Sequence, residues 1–398
     1  MDGKFTEEKY LLELLSESLK KKEERTRQLP EEFRPDWKRL LTMAERHAVL
    51  PLLYDILQEQ KLSEEDRKRV ESISRRTVQQ NYRLLFFSRY VIQLLQGENI
   101  DVVLLKGAAA GYYYPVPELR KSGDVDLLIF DRNRLEDARR IFQREGFYVE
   151  KKQLASHHLA IGTPEGIEIE LHLMLAEPFD NHEINNYLVQ TAEEMKNHVR
   201  MENLMGIELP VLSDGYNAYY LLIHMLQHFL REGFGLKLLC DWVAFWNREI
   251  EEAELQIYKT LIKESGLEGF SGMITSLCVH FLGLKDTGSD DILPEKISVE
   301  YMKDIFEAEE FGKSNRERML VLKGTGISDY IREFHRQMHI NYPSAGRIWI
   351  FWPALWLATL VRFFYNNRKV RRTTSIKILK QAGKRSWMLE RLNLFQKE

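Results

Sequence analysis

The feature that most constrains this chain is a pair of aspartates at the start of an apolar segment. Asp124 and Asp126 alternate with Val125, and the apolar run Leu127 to Phe130 continues in the style of a strand. Side chains alternate between the two faces of a strand, so both carboxylates point one way while Val125 points into the core. Two neighbouring carboxylates repel each other, and a divalent cation between them removes that conflict. The pattern therefore predicts a strand that carries a site for Mg²⁺ (or Mn²⁺).

A second apolar segment lies upstream and ends at a lysine–glycine pair. Val102 to Leu105 is rich in β-branched and aliphatic residues, which predicts a strand that stops at Lys106-Gly107. The small residues from Ala108 to Gly111 then allow a helix to begin close to a ligand at the end of that strand. The two predicted strands and the turn between them are thus expected to surround one binding site.

A third acidic residue is expected from another alternating segment. Apolar and polar residues alternate from Gly166 to His172, so Glu168, Glu170 and His172 share one face of a predicted strand. Residues 131–145, which lie before it, carry apolar residues at helical spacing. If this strand lies next to the aspartate strand, Glu170 or Glu168 joins the two aspartates in one site.

Four parts of the sequence carry a family resemblance: Leu104 to Gly107, Arg120, Gly123 to Leu128, and Ile169 to His172. Together they resemble the uncharacterised nucleotidyltransferase family of the polymerase-β-like nucleotidyltransferase superfamily. The resemblance implies an α+β fold, in which a small mixed β-sheet forms the nucleotidyltransferase core and is flanked by N-terminal and C-terminal helical regions. In that superfamily a strand–glycine turn holds the triphosphate, and an Asp-x-Asp pair with a later acid holds the metals.

The resemblance also implies roles for individual residues. The catalytic and metal-binding acids are Asp124, Asp126 and Glu170. The nucleotide-binding residues are Lys106, Gly107, Arg120, Ser122 and Gly123. Two positions differ from the superfamily pattern, because Ala108 stands where Ser or Gly is usual and Glu170 where Asp is expected.

These roles predict a metal-dependent transfer of an NMP group from an NTP, with release of pyrophosphate. Lys106 and Arg120 neutralise phosphate charge, and Glu170 serves as general base for an acceptor hydroxyl. The acceptor is a sugar, a small metabolite, a lipid head group or a protein side chain. Two alternatives remain open: a non-catalytic nucleotide-binding sensor on the same fold, and a membrane-surface scaffold that uses the basic tail.

Further polar residues form a candidate cleft group: Glu168, His172, His224, His228 and Asp241. His224 and His228 stand four residues apart on a predicted helix and share a face, but the glutamate of a zinc-protease motif is absent between them. One interpretation satisfies them with Asp241 or backbone carbonyls, and another turns them toward nucleotide or acceptor. We predict that they face the Asp124 site.

The chain of 398 residues is long enough for several domains. We predict a helical N-terminal region at 1–97, a catalytic core at 98–180, a helical C-terminal domain at 181–345 and a tryptophan-rich, basic tail at 346–398. The cysteines Cys240 and Cys278 suggest neither a disulfide framework nor a zinc site, and the first residues do not resemble a signal peptide. A cytoplasmic location is expected, with peripheral membrane attachment as an alternative.

The tail has an unusual composition. Ile348 to Val361 is a run of 14 residues without a charge that includes three tryptophans, and residues 362–398 hold 11 Lys or Arg against two Glu. Since the total charge is −3, residues 1–361 carry −12. The acidic body argues against nucleic acid as the main substrate, though the basic tail keeps it open. The tail suggests an acidic partner, which is an anionic membrane surface, nucleic acid or the acidic body of the protein itself. The alternative is that the apolar run packs on the helical domain.

The acid cluster also has an expected electrostatic consequence. Three carboxylates within a few ångströms repel, so at least one pKa should be raised. We therefore expect Asp126→Asn to abolish Mg²⁺-dependent NTP handling while barely lowering, or even raising, thermal stability.

Overall fold

The computed structural model describes residues 6–25, 33–150, 158–179, 181–231, 233–285, 292–309, 348–365 and 385–395, with some positions of 331–342. The N-terminal region is helical, as expected. Its helices are α1 (Glu7–Ser18), α2 (Trp37–Arg46), α3 (Tyr54–Gln58) and α4 (Glu64–Gln96).

Helix starts in this region follow the local capping chemistry. Thr6, Asp36 and Ser63 each accept a hydrogen bond from a backbone N–H in the first turn of α1, α2 and α4, respectively. At Ser63 the first turn also contains three acidic residues, which suit the positive end of the helix dipole. The N-cap and the acidic first turn therefore explain why α4 begins here, and Gly97 caps its C-terminal end.

Seven strands form one mixed sheet within the described residues. They are β1 (Val102–Leu105), β2 (Val125–Ile129), β3 (Tyr148–Val149), β4 (His158–Gly162), β5 (Glu168–His172), β6 (Val199–Leu204) and β7 (Ile207–Leu212). Their order across the sheet is β3-β4-β5-β2-β1-β7-β6. The predicted fold class, a mixed sheet with flanking helices, is confirmed.

The pairing of the central strands places the acidic residues. β2 runs antiparallel to β1 and parallel to β5. In this register Asp126 lies between Leu105 on one side and Glu170 on the other. The expectation that the third acid comes from a neighbouring strand is confirmed, and Glu170 rather than Glu168 is the direct partner of Asp126.

The two faces of the sheet pack against different helices. On one face Val125 and Leu127 join a hydrophobic cluster with the second half of α4 and with α6 (Leu135–Arg144). On the other face Val103, Leu105 and Leu128 join the large cluster formed with the C-terminal helices. Asp126 lies on this second face, because it alternates with Val125 and Leu127 along β2.

Two of the strands lie where only helix was predicted. β6 and β7 form a hairpin at 199–212, and β7 pairs in parallel with β1 through Leu104 and Val211. The prediction of a helical region from residue 181 onward is therefore wrong at this hairpin, and the sheet extends past the predicted core boundary at 180. The prediction failed because Pro210 inside β7 weakens the strand pattern. Gly206 was the available hairpin signal in the sequence, and the structure gives both residues of the Met205-Gly206 turn a positive φ.

The remaining helices cover the sheet and build the C-terminal body. They are α5 (Gly107–Gly111), α7 (His182–Met195), α8 (Asp214–Arg231), α9 (Leu236–Trp246), α10 (Glu252–Glu264), α11 (Glu268–Leu282), α12 (Glu295–Ala308) and α13 (Trp352–Tyr365). None of the helices in the described part of the chain combines the length and apolarity needed to cross a membrane.

The end of the chain is part of this body. Met388 and Leu392 are buried in the large hydrophobic cluster, and the Tyr301 hydroxyl donates a hydrogen bond to the Met388 carbonyl at 2.8 Å. The Phe395 N–H donates to the Gly266 carbonyl. Residues 385–395 therefore pack on the helical body, whereas α13 exposes much of its apolar surface. The membrane interpretation of the tail stays a prediction.

This packing predicts an unusual response to a glycine substitution in α11. Replacing a helical glycine by alanine normally stabilises a helix by about 0.5–1 kcal/mol. At Gly269, however, an added Cβ would lie 2.5 Å from the Leu392 carbonyl oxygen. Because overpacking costs about 1–3 kcal/mol, we expect Gly269→Ala to lower the free energy of unfolding, as measured by urea denaturation. A stabilised variant would show that residues 385–395 do not pack there.

Candidate functional site

Three carboxylates converge at the centre of the sheet. One oxygen atom from each of Asp124, Asp126 and Glu170 lies within 4.8 Å of the other two. Asp126 is almost fully buried, while Asp124 and Glu170 are partly exposed. The arrangement follows from the parallel pairing of β2 with β5, together with the position of Asp124 directly before β2. Such a set of oxygen ligands suits a hard divalent cation.

A lysine and a histidine balance the charge of Asp126. Lys106 Nζ lies 2.7 Å from Asp126 Oδ1, and His172 Nε2 lies 2.8 Å from the same oxygen. His172 Nε2 also lies 3.3 Å from Glu170 Oε2. His172 thus links β5 to β2 at the level of the carboxylates. The alternation that places His172 and Glu170 on one face of β5 already indicated this position in the sequence.

The backbone at Lys106 is held in a rarely populated conformation. Lys106 has φ 40° and ψ −145°, and Gly107 follows with φ 43°. A non-glycine residue with positive φ costs about 1–3 kcal/mol, so surrounding contacts must maintain it. The ion pair with Asp126 is one such contact. The turn therefore presents the lysine to the carboxylates and lets α5 begin immediately beyond the end of β1.

The pKa values divide the carboxylates into two kinds. Burial and the nearby charge of Asp126 raise the pKa of Asp124 to about 6. Burial also opposes ionisation of Asp126, but Lys106 and His172 outweigh it and hold the Asp126 pKa well below its usual range. Burial is likewise outweighed at Glu170, whose pKa is lowered chiefly by the hydrogen bond from His172. The expectation that at least one pKa is raised is confirmed, and the residue concerned is Asp124.

Arg120 is engaged inside the protein. Its Nε and Nη2 donate to the two carboxylate oxygens of Asp241, each at 2.7 Å, and the Tyr114 hydroxyl donates to Asp241 Oδ1 at 2.6 Å. Arg120 Nη1 donates to the Gly107 carbonyl and to Ser122 Oγ. The buried Arg120–Asp241 pair thus ties α9 to the Gly107 turn and to the loop before Asp124. Direct contact of Arg120 with phosphate stays a prediction.

The histidines of α8 lie beside the site. Burial lowers the pKa of His224, and the charges of Lys106, Lys237 and His172 lower it further, which requires them to be close to its ring. The ring of His228 stands edge-on to that of His224, with ring centroids 4.6 Å apart. These contacts support the prediction that the pair faces the Asp124 site. Whether either histidine touches a ligand stays a prediction.

Two neighbours of the site were not predicted. His158 on β4 lies opposite His172, with its Nε2 3.9 Å from Glu170 Oε1, and forms a second potential ligand group with these two residues. Tyr220 on α8 is buried, and its pKa is raised by burial in spite of the nearby Lys106. The alternating residues 158–161 were the available signal for β4. For Tyr220 the sequence held no signal beyond its helical spacing.

The loop before Asp124 borders open space. A Cβ added at Gly123 would meet no atom within 4 Å. A cavity of about 260 Å³ lies beside Ser122, with Leu50, Pro51 and Ile73 among its apolar lining and Arg76 at its edge. Glu168, by contrast, is exposed at the start of β5 and belongs to neither ligand group found among the described residues.

An Asp-x-Asp pair and a third acid on neighbouring strands, next to a strand–glycine turn, define the core of a nucleotidyltransferase. The family model described as "Uncharacterised nucleotidyltransferase" matches residues 34–283. The chain belongs to this family of uncharacterised nucleotidyltransferases, as the motifs predicted. No curated protein matches the sequence.

A solved structure gives a more distant likeness. It is an antigenic nucleotidyltransferase-like protein from Paracoccidioides brasiliensis, 16% identical, with a TM-score of 0.33 over 53% of this chain and 95% of that chain. A likeness at this level does not bear on the details of the site.

The charge balance corrects one expectation about Asp126. Because Lys106 and His172 stabilise the ionised Asp126, removing its charge leaves their polar groups uncompensated. At pH 7 we expect Asp126→Asn to lower the free energy of unfolding by about 1–3 kcal/mol. The stability that Asp126 contributes is present above its unfolded pKa and is lost as the pH falls, so the deficit should shrink toward acid. Urea denaturation at several pH values measures it.

Asp124→Asn should behave in the opposite way. The folded protein holds a proton on Asp124 up to about pH 6, so the parent chain loses stability as the pH rises between about 4 and 6. The amide does not ionise, and this loss should be absent from the variant. Relative to the parent, Asp124→Asn should therefore gain stability from pH 4 to pH 7. Equal pH profiles for the two proteins would contradict the raised pKa.

Proposed function

We propose that this protein is a metal-dependent nucleotidyltransferase that moves an NMP group from an NTP to an acceptor and releases pyrophosphate. The observation that carries the proposal is the convergence of Asp124, Asp126 and Glu170 within 4.8 Å. Membership of a nucleotidyltransferase family supports the same reaction class. A structural role alone does not explain why three acids are gathered beside a turn with two consecutive residues at positive φ.

The three acids fit a bound Mg²⁺ (or Mn²⁺) by their chemistry. They offer only oxygen ligands, and the pKa of Asp124 is raised by burial and by repulsion from Asp126, which a cation would relieve. When bound, the cation neutralises phosphate charge and orients the attacking and leaving oxygens. We assign the metal to Asp124, Asp126 and Glu170.

The transfer itself is a displacement at phosphorus. The acceptor oxygen forms a bond to the α-phosphorus, the bond between the α-phosphorus and the α–β bridging oxygen breaks, and pyrophosphate leaves with that electron pair. The proton of the acceptor hydroxyl passes to the Glu170 carboxylate. Since the hydrogen bond from His172 lowers the pKa of Glu170 in spite of burial, this carboxylate is ionised at neutral pH and free to accept a proton.

The Gly107 turn is proposed to bind the triphosphate. Lys106 supplies a positive charge at the turn, and Ser122 and Gly123 border the same space. Arg120 holds the turn in place through its bonds to the Gly107 carbonyl and Ser122 Oγ, with Asp241 fixing the guanidinium. In this proposal Arg120 acts first as a positioning residue, and its charge adds to the field that attracts phosphate.

The residues of the site are compatible with several classes of acceptor. A sugar, a small metabolite, a lipid head group and a protein hydroxyl all satisfy the same chemistry. The cavity beside Ser122 combines apolar lining residues with Glu45, Arg76 and Lys121, which suits an acceptor with an apolar part. The second expected partner, an anionic membrane surface, concerns residues 346–398 instead.

A nucleotide-binding sensor on the same fold is the second candidate. The observation that favours it is the ion pair between Lys106 and Asp126, because the ammonium group already neutralises a carboxylate that the metal requires. An active enzyme must release this contact when metal and triphosphate bind. A sensor would bind nucleotide with the lysine left in place.

The two candidates differ in their response to Mg²⁺ and to charge removal. Each of the four NTPs, labelled at the α-phosphate, is incubated with the protein and Mg²⁺, and pyrophosphate release and NTP binding are measured. For the enzyme we expect Glu170→Gln to lower the rate of pyrophosphate release by at least about 100-fold, the typical size of a general-base contribution. NTP binding should persist more strongly than turnover.

The matched control is Glu136→Gln, which removes one exposed carboxylate from α6 in the same core. It should leave both pyrophosphate release and binding unchanged. Metal-independent nucleotide binding without pyrophosphate release from any NTP would favour the sensor. Unchanged turnover in Glu170→Gln would remove the proposed base.

A further inference from the structure

The helix near the C-terminus presents a continuous apolar surface. Eight large hydrophobic residues between 348 and 361 are exposed: Ile348, Trp349, Ile350, Phe351, Trp356, Leu357, Leu360 and Val361. The most exposed of them, Trp349, retains 73% of its accessible surface. Single exposed apolar residues are common on proteins, but a contiguous set of this kind marks an interaction site. These eight residues are called the apolar surface below.

The apolar surface is one face of a helix whose other face is packed. Thr359 is buried and Trp352 partly buried, and Trp356 lies at the edge of this packed side, whereas Leu357, Leu360 and Val361 are exposed on the other side at helical spacing. The packed face meets His335, whose ring centroid lies 4.7 Å from that of Trp352. The Trp356 indole N–H also donates to His335 Nδ1 at 3.2 Å. The helix is thus held in place while its outer face stays uncovered.

The sequence on both sides of this helix carries only positive charge. From Phe334 to Leu389 the sequence has 11 Lys or Arg and neither Asp nor Glu. The rest of the chain therefore carries −14 against the total of −3. This separation puts a basic segment on both sides of the apolar surface in sequence. The positive charge favours an anionic partner, and the apolar surface beside it favours a lipid surface over a purely polar one.

The dimensions suit a helix that lies in a membrane interface. With 14 residues, α13 is about 21 Å long, which is shorter than the roughly 30 Å hydrocarbon core of a bilayer. Tryptophan is enriched at the boundary between lipid and water, and three tryptophans lie at or beside the start of this helix. Pro353 lies in the first turn, where its missing N–H costs no helical hydrogen bond.

We propose that α13 and the preceding turn form an interfacial membrane-binding segment, with the flanking Lys and Arg residues selecting anionic lipid headgroups. The apolar surface enters the headgroup boundary, and the basic residues supply attraction at the surface. The proposal concerns where the protein sits and is independent of the transfer reaction. Pairing of the apolar surface with a second copy of the chain is the competing outcome.

The full-length protein is tested by flotation with vesicles. Vesicles of neutral phosphatidylcholine are compared with vesicles that contain about 30% phosphatidylserine, at about 0.1 M and 0.5 M salt. We expect binding to the anionic vesicles at low salt, at least about tenfold weaker binding at high salt, and a blue shift of tryptophan fluorescence on binding.

Two variants separate the apolar and the electrostatic contributions. Trp349→Ser with Leu357→Ser and Val361→Ser should reduce vesicle binding at least about tenfold, because serine loses the favourable transfer of an apolar side chain from water into lipid. Replacing Arg368, Lys369, Arg371 and Arg372 by Gln should do the same and should remove most of the salt dependence. Point variants are preferred to a truncation, since residues 385–395 belong to the core.

Each variant has a matched control elsewhere on the protein. Phe86, Tyr148 and Met201 are equally exposed apolar residues, and their replacement by Ser should leave vesicle binding unchanged. Lys68, Arg75, Arg140 and Arg144 are exposed cations of the body, and their replacement by Gln should also have little effect. Circular dichroism establishes whether each variant is folded. If a variant is unfolded, the proposal is tested by the binding of the parent protein to neutral and anionic vesicles at the two salt concentrations.

Three results would overturn the proposal. The first is absence of binding to anionic vesicles at low salt. The second is binding that all variants and controls retain equally. The third is a concentration-dependent dimer, seen by light scattering without lipid, that the Trp349, Leu357 and Val361 variant loses; the apolar surface would then be an interface between copies.

Discussion

The structure depends on holding three carboxylates together on neighbouring strands. The parallel pairing of β2 with β5 places Asp126 directly beside Glu170, and Asp124 follows from its position at the start of β2. Repulsion between them is offset by Lys106 and His172, which contact the same oxygen of Asp126. The compensation is uneven, because it leaves Asp124 with a raised pKa while Asp126 and Glu170 stay ionised. This uneven charge balance supports the proposed binding of a cation at the three acids.

The helical regions serve this site through a few buried polar contacts. Asp241 on α9 fixes Arg120, and Arg120 in turn holds the Gly107 turn. The buried His47, at the end of α2, accepts a hydrogen bond from the Leu236 N–H at the start of α9. This contact connects the N-terminal region to the same helix. A buried charge pair adds little net stability on average, but breaking it is costly, so it locks the elements in one arrangement.

The C-terminal segment combines two environments that composition alone does not separate. Residues 385–395 complete the core of the helical body, whereas α13 keeps its apolar outer face uncovered. Both parts belong to the same basic stretch of sequence. Hydrophobic residues are needed for either purpose, and only the position of the surrounding helices decides which of them are covered. The exposed face is therefore a property of the fold rather than of the residue types.

The sequence by itself determined the features that depend on near neighbours. Alternation placed Asp124 with Asp126 and Glu170 with His172, and Ser63 with its following acids marked the start of α4, because strand and helix periods are local. Only the tertiary structure decided which groups meet across the chain. Arg120 binds Asp241, 121 residues away, and Lys106 binds Asp126 because the backbone at the turn adopts a positive φ. The β6–β7 hairpin joined the sheet in spite of Pro210 because β1 offered an open edge. Strand order and long-range ion pairs depend on packing energy summed over the whole core, which no local pattern contains.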